Sequence, residues 1–447
     1  MNKLIQPTRR DVLHLAGAAA LAGVALPHVH ARGEDTVNFA LIGCGGRGGG
    51  AAENAMQAQY GPTKLVSMAD VFNGKLNSCF DELKKFEKTI DVPPERRFIG
   101  FDGYRKAMDC LKPGDIAILA TPPAFRWVQF KYAIEKGLNV FMEKPVAVDG
   151  PTSKRMMGLA EEAQKKNLKV GVGLMCRHCR SRGELFQRIK DGQLGQITML
   201  RCYRRKGPEA TCFSPPKPAD IPELHYQIQR FHSFLWASGG SYSDFYIHNI
   251  DECCWMKDAW PVEAKGSGGR HYRGNNIDQN FDSYSVEYTF ADGAKMFLEG
   301  RSISGCAQEF ASYCHGTGGS GVISHSGHAP SKSRIYASQD MKSTPTWKCP
   351  DHEPDPYQLE WDDLLEAIKK DKPYNEVMRG AQASLVTAMG RMAAHTGQVI
   401  TYDQMLNNSL EFAPDVDKLT LDGDAPLKAG DDGKYPVPSP GKKKTEY

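Results

Sequence analysis

Short apolar runs separated by polar, helix-like stretches organise the first third of the chain. Val37 to Ile42 has the length of a buried strand, and Ala51, Ala52 and Ala55 mark one face of a helix after it. Leu65 to Ala69 reads as the second strand. The alternation then continues with a polar helix over Lys75 to Lys88, a short strand near Phe98, and a helix around Tyr104 to Leu111. Ile116 to Ala120 is uninterruptedly apolar, as a central strand buried on both faces must be. A helix over Arg126 to Lys136, a strand over Leu138 to Met142, a helix over Ser153 to Lys166 and a strand over Lys169 to Leu174 complete the series. Such alternation predicts a doubly wound parallel sheet, with ligands at the carboxyl ends of its strands.

Beyond Cys179 the pattern changes. Ser285 to Phe290 and Ala294 to Gly300 flank Ala291-Asp292-Gly293, a hairpin signal, and Ile197 to Arg204 is also strand-like. These segments predict one open, largely antiparallel sheet with helices such as Glu184 to Lys190 on one face. The proline-rich segment Gly207 to Pro222 reads as an irregular loop. A late helix over Gly380 to His395 carries small residues suited to close packing, back onto the first domain. The fold class is therefore α/β in two parts. The expected division is a leader over 1–31, a nucleotide-type domain over 32–175, an α/β domain over 176–420 and a flexible tail over 421–447, which is rich in Gly, Pro, Asp and Lys.

Composition changes this picture little. A chain of 447 residues with 40% apolar content exceeds one ordinary core, and a net charge of +3 leaves no broad electrostatic footprint for nucleic acid. Thr8-Arg9-Arg10-Asp11-Val12-Leu13 precedes a stretch too short and alanine-rich for a membrane span, so no stable insertion is expected. It reads as a twin-arginine signal cleaved after Ala31, placing the mature protein in the periplasm or otherwise outside the cytoplasm; an amphipathic N-terminal helix is the plainer alternative. The twelve cysteines are scattered and read as buried fillers. Cys176-Arg177-His178-Cys179 has the spacing of a redox pair or half a zinc site, but no second cysteine pair at zinc spacing accompanies it, and no metal is expected.

The chemistry begins where the first strand ends. Gly43, Gly45 and Gly48 fall in the spacing G-x-G-x-x-G, and the second strand delivers Asp70 about twenty residues on, where a ribose-binding acid belongs. Alone the spacing fits any glycine-rich turn; with strand, helix, strand and acid in order it predicts a dinucleotide site. Gly43, Gly45, Gly46, Arg47 and Gly48 would surround the pyrophosphate at the helix N-terminus. Thr121 and Pro122 end the fourth strand, and Glu143 and Lys144 the fifth, so these four also belong to the cofactor list. NAD is preferred to NADP because Asp70 repels a 2′-phosphate and neither Val71 nor Phe72 offers a compensating charge.

Lys144 would lie near the nicotinamide, placed to hydrogen-bond a substrate hydroxyl. Asp244 and His248, four apart after Gly239-Gly240, share a face if helical, and an imidazole suits proton abstraction from an alcohol. An ordinary helical pair is equally consistent with the spacing.

With the glycine motif, Glu143-Lys144-Pro145 and Asp244-x-x-x-His248 in view, the chain resembles the glucose-fructose oxidoreductase, inositol dehydrogenase and MocA family, from Val37 to about Gly397. The resemblance implies an N-terminal Rossmann domain, a C-terminal α/β domain, and hydride transfer between NAD(P) and a sugar or polyol. It implies Lys144 and His248 as the catalytic pair, Asp244 as their partner, a cis peptide before Pro145, and a homo-oligomer through the C-terminal sheet. One departure stands out: many members read T-P-x-x-x-H where this chain has Thr121-Pro-Pro-Ala-Phe-Arg126. Arg126 could take a carboxylate or a cofactor phosphate, or face solvent, and Arg177 near the same cleft adds to the case for an acidic substrate. Two further functions compete with a sugar oxidoreductase: a glycosidase using NAD transiently, and a non-catalytic sugar or nucleotide sensor.

Overall fold

Six strands of the first domain lie side by side: β1 (Val37–Ile42), β2 (Thr63–Asp70), β3 (Arg97–Ile99), β4 (Ile116–Leu119), β5 (Asn139–Met142) and β6 (Val170–Val172). The structure, a computed structural model, describes residues 35–447, so the expected leader lies outside the described residues. The strand order is β3-β2-β1-β4-β5-β6 and every pairing is parallel. The order reverses between β1 and β4, which puts the carboxyl ends of those strands beside a crevice. All four residues of β4 are fully buried, as its unbroken apolar run requires.

The second sheet has nine strands. In sheet order it runs β14 (Trp347–Lys348), β13 (Arg334–Tyr336), β12 (Gly319–His325), β11 (Glu309–Gly316), β7 (Ile197–Lys206), β10 (Lys295–Ser302), β9 (Ser283–Thr289), β8 (Glu263–Gly269) and β15 (Ile400–Thr401). Only β7 and β10 pair in parallel. Along β10, Met296 and Leu298 turn inward while Phe297 and Glu299 turn out, so one face packs and the other meets solvent. The packed face carries the helices Gly240–Lys257 and Val377–Thr396.

Two expectations need correction. The helix Pro356–Lys369, late in the chain, returns to the first sheet, so the division at 175/176 is not a clean cut. Its start is built from Asp355, whose carboxylate accepts from Tyr357 N at 3.0 Å, and Pro356 in the first turn. Trp361, Leu364 and Leu365 are completely buried against Phe39, Leu41 and Ile118, with Trp361 4.5 Å from the Phe141 ring centre. Burying those three side chains contributes roughly 5 to 9 kcal/mol. An apolar sheet face must be covered, and this stripe covers it.

The tail is the second correction. Residues 421–447 form no regular element, yet they are anchored. Tyr435 is 4% and Glu446 1% exposed. The Glu446 carboxylate is clamped by the Arg391 guanidinium, at 2.8 and 3.0 Å, and accepts from the His395 ring at 2.8 Å. Tyr447 stacks on Phe412. Arg391 is fully buried and needs an anion, and the tail supplies it.

Candidate active site

The glycine loop connects β1 to the helix Gly46–Gln57. Gly43 has φ +95°, and a Cβ there would lie 2.6 Å from the Ala120 carbonyl carbon. A Cβ on Gly48 would lie 1.9 Å from Gly43 O, so helix and strand touch only because residue 48 has no side chain. Gly45 and Gly46 differ: a Cβ on either meets nothing within 4 Å. That open space at a helix N-terminus is the cradle a pyrophosphate requires.

A cleft of about 670 Å³ runs from this loop past Asp70, Phe72 and Thr121, and Val416 and Leu419 close its far wall. Asp70 accepts from Cys44 N at 2.7 Å and Phe72 N at 2.8 Å. Burial raises its pKa, against which these two bonds favour the anion. Lys75, from the next helix, also lines the cleft. The residues present therefore fit a dinucleotide.

At the ends of β4 to β6 several side chains are committed to each other. Thr121 Oγ1 donates to Gln129 Oε1 at 2.8 Å. Arg47 pairs with Glu143 at 2.6 Å and lies over the Tyr357 ring. Arg126, expected as a ligand for substrate or phosphate, is instead buried and donates to the carbonyl oxygens of Leu119 and Thr121, the latter at 2.8 Å. Burial lowers its pKa to about 10. Arg177 is likewise spent, in two bonds of 2.9 and 2.8 Å to the Asp251 carboxylate. Arg126 Nε is left buried without a partner, while both guanidinia otherwise contact groups of the protein itself.

Beyond β5 the Lys144–Pro145 peptide is cis. Lys144 Nζ donates to Asp244 O at 2.7 Å and lies 3.4 Å from Asp244 Oδ1. Asp244 and His248 both sit on the helix Gly240–Lys257 and both are buried. The other Asp244 oxygen lies 3.4 Å from His232 Nε2. Burial alone would raise the Asp244 pKa, but the Lys144 ammonium and the His232 contact outweigh it and hold the group well below the carboxylate range. His248 goes the other way: burial, then His328, then Lys144 push its pKa far down, so its imidazole is neutral.

Sequence reasoning misses His232 and His328. His232 bonds Thr211 Oγ1 through Nδ1 at 2.8 Å and stacks on Phe245. His328 meets His248 edge-on with ring centres 4.4 Å apart, and Cys176 completes the group. Neither histidine belongs to a motif, so the sequence carries no local signal for either. The cysteines are all free, Cys176 and Cys179 included.

Residues 37–174 match the Gfo/Idh/MocA model, an oxidoreductase family with an NAD-binding Rossmann fold. That segment is similar to the NAD-binding domain of the Gfo/Idh/MocA oxidoreductases. Inositol 2-dehydrogenase 4 of Saccharopolyspora erythraea is 34% identical over 116 residues, 25% of this chain and 34% of that relative. The scyllo-inositol 2-dehydrogenase (NAD(+)) of Bacillus subtilis is 25% identical over 236 residues, 53% of this chain and 58% of its own length. The chain thus spans between a third and three-fifths of these two relatives. Among solved structures, scyllo-inositol dehydrogenase from Lactobacillus casei, with bound NAD(H) and scyllo-inositol, aligns with a TM-score of 0.58 at 18% identity. That alignment covers 83% of this chain and 100% of that one, so the two-sheet architecture is shared with that structure.

Proposed function

We propose that the protein is an NAD-dependent oxidoreductase that moves a hydride between NAD and a hydroxyl-bearing carbon of a sugar or polyol. The observation that carries this reading is the Lys144 ammonium, held by Asp244 at the carboxyl end of β5 with a neutral His248 one helical turn on. The relatives named above, inositol dehydrogenases, support the substrate class.

NAD supplies a hydride acceptor when bound. Gly45 and Gly46 leave room for its pyrophosphate, and Asp70 offers a carboxylate to the ribose hydroxyls. Lys144 donates a hydrogen bond to the substrate oxygen, and Asp244 keeps that ammonium in place. His248 would accept the hydroxyl proton, and the hydride released from the same carbon would go to NAD when that cofactor is bound.

The twin-arginine pattern at Thr8 to Leu13 supports export of the folded protein, and a solvent-facing second sheet supports assembly through that face. An exported enzyme meets little free NAD, which favours tight retention of the nucleotide. The test is to release nucleotide from purified full-length protein, identify it, and assay polyols, sugars and aryl glycosides. Stoichiometric NAD with oxidation of a polyol or sugar is expected. Failure to bind NAD would overturn the reading, and aglycone release without net NADH would replace it with a redox-neutral glycosidase.

A further inference from the structure

We infer that Cys176, His248 and His328 form a binding site for one zinc ion. The inference deepens the proposed function and rests on it for the position of the substrate. One donor atom from each of the three residues lies within 4.8 Å of the other two. Tetrahedral zinc, with bonds of about 2.0 to 2.3 Å, spaces its ligands about 3.5 Å apart, so the widest gap closes by no more than about 1.3 Å.

The donors are also uncommitted. His248 Nδ1 and His328 Nε2 are buried without a hydrogen-bond partner, although His248 is only 5% exposed. Such orphaned nitrogens are costly unless something occupies them. The other nitrogen of His328, Nδ1, faces the Tyr357 hydroxyl at 3.4 Å, the kind of outer contact that fixes a ligating ring. Cys176 Sγ makes a weak contact with the Met175 sulfur, at 3.8 Å. Binding displaces the thiol proton to solvent and leaves a thiolate on the ion.

Charge around the corner is mixed. Lys144, Arg182 and Arg204 act on the histidines, while Arg182 foremost, opposed by Glu252 and Asp251, acts on Cys176. The thiolate adds one more negative charge to this balance. A Cys-His-His donor set suits zinc and leaves one position for water or a substrate oxygen. An ion there would lower the pKa of a bound hydroxyl, whose proton would then leave to solvent rather than to His248, which is held as a ligand.

The test loads chelator-treated full-length protein with Zn²⁺ and with Co²⁺ as a spectroscopic stand-in. One ion per chain and a thiolate-to-cobalt charge-transfer band are expected. Cys176→Ser should abolish the band, and both it and His328→Gln should weaken Zn²⁺ binding at least tenfold. Unchanged near-ultraviolet circular dichroism and NAD affinity would report that each variant is folded. Substoichiometric Zn²⁺ at micromolar concentration, or a cobalt band that survives Cys176→Ser, overturns the site. Should metal-free protein still bind NAD and oxidise a polyol at the full rate, the zinc inference falls and the proposed function stands. Stoichiometric zinc in a protein that takes no NAD upholds the metal site and overturns the oxidoreductase reading.

Discussion

Replacing Glu446 tests whether the tail belongs to the folded core. Its carboxylate and the Arg391 guanidinium are both about completely buried, and Arg391 also donates to Ser243 Oγ at 2.7 Å and Gly239 O at 3.2 Å. The tail therefore braces the start of the helix that carries Asp244 and His248. Burial raises the Glu446 pKa, but Arg391 outweighs it and holds the group at about 2, against an ordinary 4.5. That depression corresponds to about 3 kcal/mol, and breaking a buried pair by removing one partner costs a similar 3 to 5 kcal/mol. Because the folded pKa is the lower one, the contribution is complete above about pH 4.5 and disappears as pH falls toward 2. His395 stays neutral, since burial lowers its pKa, and one N–H at Nδ1 serves Glu446 while Nε2 accepts from Tyr284 at 3.0 Å. Unfolding entropy for 447 residues is about 0.9 kcal/mol per kelvin, so Glu446→Gln should lower Tm by roughly 3 °C at pH 7 in differential scanning calorimetry. The deficit should shrink below pH 4. Pairing it with Arg391→Met should cost less than the two single changes added together, because no charge is then left buried alone. A Tm within 1 °C of the parent for Glu446→Gln, about a third of the expected shift, would refute the argument.

The glycine loop separates two effects. Gly48→Ala should destabilise the fold and weaken NAD, because its Cβ collides with Gly43 O, whereas Gly45→Ala should leave Tm unchanged and weaken NAD at least about tenfold, or 1.4 kcal/mol, by filling the cradle; calorimetry and nucleotide titration together check this. Wild-type protein should bind NAD more tightly than NADP, and Asp70→Ser should narrow the gap with Lys75 left in the cleft wall to meet the 2′-phosphate. Tighter binding of NADP by the parent would contradict that ordering. Lys144→Ala should lower kcat roughly 10²-fold on any substrate found while NAD affinity holds, since the ammonium acts on the substrate oxygen. Parental turnover by this variant would remove Lys144 from the reaction.

How far the sequence reveals these features depends on the range of the interactions involved. The parallel sheet is legible because a strand buried on both faces must be continuously apolar, as Ile116 to Leu119 is, and because the glycine spacing answers to backbone contacts a few residues away. Asp244 and His248 are legible as a helical pair for the same local reason. The covering helix Pro356–Lys369 is not, since an amphipathic stripe reveals that it packs but not against which sheet. The tail reads as flexible because its composition is polar, whereas its order comes from distant partners, among them the Phe412 ring under Tyr447 and a guanidinium 55 positions back that meets the Glu446 carboxylate. Arg126 resembles a ligand because a cation near a cofactor loop is usually one; only the fold places the Leu119 and Thr121 carbonyls within its reach.

The C-x-x-C motif shows most sharply how spacing can mislead. It suggests that Cys176 and Cys179 act together, and the short helical turn Met175–His178 separates them instead. Cys179 is sent toward Arg182, 3.2 Å away, and Glu353. Cys176 turns toward His248 and His328, residues 72 and 152 positions later, so the pattern marks a chemically important cysteine while pairing it with the wrong neighbour. The three proposed ligands, drawn from a sheet-end turn, a helix and a distant loop, leave no spacing to recognise. Only the tertiary fold brings them together.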